Sequence, residues 1–265
     1  MVSVQPLFEL DPDMVKETIA SIEEWIRKWF SGNGGQTAVL GMSGGKDSTV
    51  CAKLLVDALG SENVVGVFMP NGIQSDFQDA LDAAEAAGLT RTQVINIGFA
   101  YDRMAEQLPG FSRESQAGVN LAPHLRMAAL YMVSQGLPGG RVCCTGNLSE
   151  ATVGYCTLYG DLAGDFAPLL EIFKEDVCEI GKTLGLPGRL VDKVPADGLS
   201  GKSDEEKLGF SYADIREYCR SGCVKLPPEV YGRISRMADR NRFKGRLVQI
   251  PRWIPRWDPG LGWCL

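Results

Sequence analysis

The stretch Thr37-Ala-Val-Leu-Gly-Met-Ser-Gly-Gly-Lys-Asp-Ser-Thr-Val-Cys-Ala-Lys-Leu-Leu-Val-Asp-Ala-Leu59 reads as strand, glycine-rich turn and helix. Thr37–Met42 is a short apolar run bounded by Gly34, Gly35 and Gly41, the pattern of a strand buried in a parallel sheet. Val50, Leu54, Leu55, Ala58 and Leu59 then recur at helical spacing, and Gly60 ends the helix. The turn between them, Ser43 to Thr49, aims unpaired N–H groups of a helix start at one point and so favours an anion there. It is not a Walker A loop: counted from Gly41, the second-glycine slot holds Lys46 and the lysine slot holds Asp47. Nor is it the dinucleotide fingerprint, which needs Gly where Ser43 stands. Asp47 is the informative residue. A carboxylate beside phosphates repels them unless a cation lies between, so Asp47 argues for Mg²⁺ bridging the two. Taken alone, the same residues also allow an ordinary turn with a helix-capping acid.

Working outward, Asp11–Phe30 reads as a helix with Ile19, Ile22, Trp25, Ile26 and Trp29 on one stripe. Asn63–Met69 is a second buried strand, Ser75–Ala87 a helix capped by Ser75, and Gln93–Ile97 a third strand. This alternation with short connections predicts an α/β fold, a doubly wound parallel sheet flanked by helices, in one domain spanning 1–265. Asn120–Gln135 reads as a further helix and Arg141–Thr145 as a strand ending in Gly146-Asn-Leu-Ser-Glu150. In such sheets ligands bind at the carboxyl ends of strands near the switch point, so the 43–49 and 145–150 loops are expected to face each other. Tyr155–Asp165 is a long loop, Leu169–Leu184 a helix, Asp192–Lys207 a mobile loop or lid, and Phe210–Arg240 helical with a break at Pro227-Pro228. The tail carries Trp253, Trp257 and Trp263, which must pack on the body or on a second subunit. With Ile19, Ile22, Ile26 and Trp29 of the first helix they present more apolar surface than one sheet face readily covers, so a homodimer contact made of these two segments is expected.

A net charge of −6 and a pI near 5.0 argue against a nucleic-acid surface, so an anionic ligand must be held locally by a few cations and helix ends. At 265 residues, 45% apolar and 23% charged, the chain can bury a large core. No run is long enough for a membrane span and no signal-peptide pattern stands at the start, so a cytoplasmic protein is expected. The eight cysteines lack zinc spacing and the single histidine is His124, which leaves reduced, mostly buried thiols as the expected state.

Ser43-Gly-Gly-Lys-Asp-Ser-Thr49 resembles the SGGxDS loop of the ATP pyrophosphatases, whose fold is of the adenine nucleotide alpha hydrolase kind. Thr145-Gly-Asn-Leu-Ser-Glu150, Gly154-Tyr-Cys-Thr-Leu-Tyr-Gly-Asp161, Asp165, Lys174 and Asp204-Glu205 before Leu208-Gly209 are together similar to the ammonia-dependent NAD synthetases. Asn120, Arg126-Met127, Tyr131 and Met69-Pro70 add to that resemblance, which runs from about residue 14 to 251.

The resemblance implies ATP-dependent amidation of deamido-NAD by ammonia through an acyl-adenylate, giving NAD, AMP and pyrophosphate. It implies Asp47, Glu150 and Lys174 as catalytic residues, with Mg²⁺ shared by Asp47 and Glu150. ATP falls to Gly41, Ser43, Gly44, Gly45, Lys46, Ser48, Met69, Thr145 and Lys174, although Lys46 on its own reading points equally to solvent. Deamido-NAD falls to His124, Tyr155, Leu158, Asp165, Phe243 and Lys244. The chain departs from the family at Pro123-His124 in place of an Arg, at Leu158 in place of a Lys, at Ala196 in place of a Thr and at Phe243 in place of a His. Most of these concern the acceptor half. The resemblance also implies a homodimer and, with no glutamine amidase segment in the chain, ammonia that is free or delivered by a separate supplier. Two alternatives stand beside it: an ATP-pyrophosphatase amide ligase for a different carboxylate, and a non-catalytic ATP- or NAD-binding protein. Retention of both carboxylates, Asp47 and Glu150, counts against the second, and the cost of a glycine-rich loop without a ligand counts against a purely structural subunit.

Overall fold

The chain builds a four-stranded, all-parallel sheet in the order β3-β2-β1-β4, the doubly wound α/β arrangement expected. The computed structural model describes residues 10, 14–73, 77–193, 203–222, 224–247 and 250–253. In chain order, α1 (Val15–Gly32) leads to β1 (Thr37–Gly41), α2 (Lys46–Leu59) and β2 (Val64–Phe68). Then come α3 (Phe77–Ala86), β3 (Arg91–Val94), α4 (Gly98–Ala105), α5 (Gln116–Gln135) and β4 (Gly140–Val142). The regular elements that follow among the described residues are helices: α6 (Leu148–Val153), α7 (Lys174–Thr183), α8 (Gly188–Val191), α9 (Asp204–Leu208), α10 (Tyr212–Ser221) and α11 (Pro228–Leu247).

β1 is central because its side chains are apolar on both faces. Ala38 pairs with Val64 on one flank and with Arg141 on the other. Strand periodicity sends Ala38 and Leu40 to one face, where α1, α2, α3 and α7 cover them, and Val39 to the other, where α5 lies. The chain winds from β1 outward to β3, returns through α4 and α5, and enters β4 on the opposite flank of β1. The switch point therefore lies between the carboxyl ends of β1 and β4, where the 42–45 and 143–147 segments leave the sheet. Among the described residues no helix is long and apolar enough to cross a membrane.

Several expectations shift. The third strand spans Arg91–Val94 and not 93–97, and as an edge strand it is largely exposed. Its continuation is still tied down, since Ile95 N–H donates to Phe68 O and Ile97 N–H to Pro70 O. The apolar segment from 169 to 173 is a buried turn and not helix: Phe173 is the extended N-cap of α7, and Leu169, Leu170 and Ile172 fill the core ahead of it. Helix α4 had no signal strong enough to be read. The Ser75 cap, Ala196 and the 198–202 part of the lid, Trp257 and Trp263 lie outside the described residues.

The apolar stripe of α1 has an intramolecular destination. Ile19, Ile22 and Ile26 are buried in the core beneath α2, and Trp29 stacks on Phe166 with ring centroids 4.9 Å apart. Trp253 is buried as well; it belongs to the same core, and its indole N–H donates to Ser21 Oγ at 3.3 Å. Ala167 N–H donates to Pro251 O, which draws this C-terminal segment alongside the core. These side chains are thus spent inside the subunit, and the apolar argument for a dimer contact made by α1 and Trp253 falls away.

Candidate active site at the β1–β4 switch point

The turn after β1 is shaped by local hydrogen bonds. Gly45 N–H donates to Ser43 Oγ at 3.2 Å, Ser43 and Ser48 hydroxyls meet at 3.0 Å, and Thr49 Oγ1 donates to Gly45 O at 2.8 Å. Gly44 has φ +74°, and a Cβ there would stand 2.8 Å from the Ala80 backbone N, so only glycine lets the loop run against α3. No side chain caps α2, which leaves the N–H groups of its first turn directed to the mouth of the switch point. An uncapped helix start of this kind favours an anion.

Asn147 caps α6 with a capping box: its side chain accepts Glu150 N–H, while Glu150 Oε2 accepts Asn147 N–H. The same Asn147 donates to Asp47 Oδ1 at 3.2 Å, so one buried amide ties the two loops together. Lys174, the first residue of α7, places its ammonium 2.9 Å from Asp47 Oδ2 and 2.8 Å from Glu150 Oε1. Its position is set by a backbone bond, Lys174 N–H to Ser149 Oγ, and by the Tyr212 ring 5.0 Å beneath the ammonium. Burial pushes Glu150 up to about 7 against the pull of Lys174, with the Asp47 charge adding to the rise. Burial disfavours the Lys174 charge too, but Asp47 and Glu150 hold its pKa well above the usual lysine value.

These groups line one cleft of about 1280 Å³. Gly41, Ser43, Gly45, Lys46, Asp47, Ser48, Met69, Thr145, Glu150 and Lys174 all face it, with Tyr155 and Lys244 further along. Lys46 turns its ammonium to Cys178 Sγ, 3.3 Å away, instead of to the loop. Lys244 spends its ammonium on Gly154 O and Cys156 O, at 2.8 and 2.6 Å, and so holds the 154–156 turn. Tyr155 donates to Asp204 Oδ1 at 3.4 Å, and Tyr212 donates to Asp204 Oδ2 at 3.1 Å, which docks the start of α9 against the site.

Four of the residues expected to meet the acceptor lie off this chain's cleft. Asp165 is bound into the sheet margin: Oδ2 accepts Val142 N–H at 2.7 Å and Oδ1 accepts the Tyr131 hydroxyl at 3.2 Å. His124 is exposed, with Nε2 2.9 Å from the backbone carbonyl of Leu158, so its imidazole pins the 155–165 loop to α5. Phe243 is on the exposed side of α11. The far wall holds residues the sequence reading passed over. Arg233, Arg236, Met237, Arg240 and Asn241 line the cleft from α11 at spacings of three, four and seven, a periodicity that was legible once the helix had been placed.

A family model described as NAD synthase matches residues 18–248. The chain belongs to the NAD synthase family. The NH(3)-dependent NAD(+) synthetase of Archaeoglobus fulgidus is 34% identical over 243 residues, 89% of this chain and 97% of that protein. That of Thermococcus kodakarensis is 40% identical over 223 residues, 83% of this chain and 85% of that protein. Among solved structures, NMN synthetase from Francisella tularensis superposes with a TM-score of 0.80 at 29% identity, over 92% of this chain and 99% of that one. The NH3-dependent NAD synthetase of Campylobacter jejuni gives 0.74 at 26% identity, over 91% and 99%. Within this NAD synthase fold, the 43–48 turn, Asn147, Glu150 and Lys174 line one cleft together.

Proposed function

We propose that this chain is an AMP-forming ligase that uses ATP to join ammonia to the carboxylate of deamido-NAD, yielding NAD. The observation that carries the reading is the Asp47–Lys174–Glu150 bridge beside the uncapped start of α2. Family membership supports it. The N–H groups at the start of α2 and the Ser43 and Ser48 hydroxyls hold the β- and γ-phosphates. Lys174 carries its positive charge at the α-phosphate, where negative charge builds as the carboxylate arrives. An oxygen of the nicotinic acid carboxylate bonds to the α-phosphorus, and the bond to the bridging oxygen breaks to release pyrophosphate. Ammonia then adds to the acyl carbon, loses a proton, and AMP departs with the electron pair of the carbon–oxygen bond.

Two carboxylates converging on one cation suit a hard divalent ion, since Mg²⁺ is usually held by one or two carboxylates together with substrate phosphates. Among the described residues no cluster of three or more His, Cys, Asp or Glu is present, so this pair would need the phosphates to complete its shell. Asp47 and Glu150 would hold Mg²⁺, which would neutralise the triphosphate and polarise it for attack. Asn147 keeps Asp47 aimed across the switch point, and the capping box keeps Glu150 there.

A second reading has its own observation. The solved structure with a TM-score of 0.80 is an NMN synthetase, and the acceptor half of this chain is where His124, Leu158 and Phe243 depart from the synthetase pattern. On that reading the carboxylate belongs to nicotinate mononucleotide. One experiment separates the two: AMP release from ATP, ammonium and Mg²⁺ with either deamido-NAD or nicotinate mononucleotide. Faster turnover of the dinucleotide supports the first reading, faster turnover of the mononucleotide the second, and AMP release with neither removes both.

We further propose a cytoplasmic homodimer. The six cysteines among the described residues are all unpaired, as in a reducing compartment. The exposed apolar side chains Phe99, Met104, Leu108 and Met132, on or beside α4 and α5, provide the face for a second copy in place of α1. Light scattering tests it: Phe99→Glu with Met132→Glu should halve the particle mass, and a wild-type particle of monomer mass removes the dimer.

A further inference from the structure

The cations of the cleft divide sharply by occupation. Lys174 is bound by Asp47 and Glu150, and Lys193 by Asp79. Lys46 points at Cys178, Lys244 at two carbonyls, and Arg126 donates to Met69 O. On α11, Arg233 gives one N–H to Gly209 O at 2.8 Å. Arg236 and Arg240 are exposed on the cleft wall, and among the described residues neither has a carboxylate or carbonyl partner. The same helix does carry acids, but Asp239 pairs with Arg242, off the cleft. In a chain of net charge −6, Arg236 and Arg240 are thus cations of the cleft wall left open to whatever anion enters it.

From this we infer that Arg236 and Arg240, with Arg233 at the end of the row, bind the phosphate of the acceptor nucleotide. This rests on the ligase reading above. The ATP phosphates have their own donors in the 43–48 loop and Lys174, whereas the acceptor brings a second set of phosphates into the same cleft. Those phosphates need cations that are not already committed, and guanidinium forks match phosphate oxygens two at a time. Arg233 to Arg240 spans about 10 Å along α11, room for a monophosphate or a diphosphate together with its sugar. The row thereby fixes how far from Lys174 the nucleotide is held, and with it which acceptor presents its carboxylate to the α-phosphorus. No residue expected from sequence supplies this contact, because Lys244 is committed to the 154–156 turn and Phe243 is apolar.

The test is calorimetric titration of the full-length protein, loaded with Mg²⁺ and a non-hydrolysable ATP analogue, with deamido-NAD, nicotinate mononucleotide and phosphate-free nicotinate riboside. Wild type is compared with the Arg236→Ala/Arg240→Ala and Arg236→Lys/Arg240→Lys double variants. The alanine variant should lose acceptor affinity by about 30-fold or more, a factor within reach of one or two charge-assisted hydrogen bonds. Its affinity for the ATP analogue should stay within about twofold of wild type, the lysine variant should recover part of the loss, and the riboside should not distinguish the three proteins. The nucleotide that shows the larger loss identifies the acceptor phosphate the row reads. Unchanged acceptor affinity in the alanine variant, or a loss that falls on the ATP analogue, overturns the assignment while leaving the ligase reading intact. Wild type binding neither nicotinate nucleotide overturns both together.

Discussion

Lys174 stands between Asp47 and Glu150, with its ammonium 2.9 Å from one carboxylate and 2.8 Å from the other. The two acids come from helices that begin at the ends of adjacent strands, β1 and β4, and the lysine from the start of α7. One buried cation therefore links three segments that are distant in sequence. Its side chain is only 7% exposed, so water can do little to replace it.

Lys174→Ala should lower stability by about 3 kcal/mol, because two half-buried carboxylates would then face each other without the buried cation that joins them. Thermal unfolding measures this, and AMP release should fall in the folded fraction. Lys174→Ala with Glu150→Gln should regain part of the stability but none of the activity. A single variant as stable as wild type would mean that the bridge contributes nothing to the fold.

Asp47→Asn and Glu150→Gln should each leave the protein folded and each abolish AMP formation. The double variant should be little slower than either single one, as for groups that act as a unit. Multiplicative losses in single-turnover AMP assays would show that the two carboxylates work independently.

Gly44→Ala and Gly185→Ala form a matched pair, since both glycines have positive φ, +74° and +77°. At Gly185 an added Cβ meets nothing within 4 Å, so only backbone strain of about 1–2 kcal/mol is expected. At Gly44 the Cβ meets the Ala80 backbone at 2.8 Å, which adds a clash and moves the loop. ATP affinity should fall for Gly44→Ala and hold for Gly185→Ala. Equal ATP affinity in the two variants would remove the loop from phosphate binding.

Trp253→Ala should cost about 3–5 kcal/mol, the usual range for a buried tryptophan, because it empties a site against α1. Turnover per folded molecule should be unchanged, since Trp253 does not line the cleft. A large drop in kcat with normal thermal stability would mean that this tail segment acts on catalysis.

Much of the site nearest β1 was legible because it is local. Thr37–Leu59 carries its strand, turn and helix in adjacent residues, and the positions of Gly44 and Asp47 follow from that geometry. The capping box of Asn147 and Glu150 is equally local, spanning three residues. The facing of these two loops follows from a topological rule about parallel sheets, which needs only the order of the elements.

What sequence could not supply were the partners chosen across long separations. Asp165 and Lys244 have the residue types of ligand contacts, yet the fold engages one with Val142 and Tyr131 and the other with the 154–156 carbonyls. The α1 stripe predicted burial but not its destination, because an apolar face is satisfied equally by its own core or by a neighbour. The openness of Arg236 and Arg240 likewise belongs to the tertiary structure. A charge pattern on a helix states which residues share a face; only packing decides which of them find a partner and which are left facing a cleft.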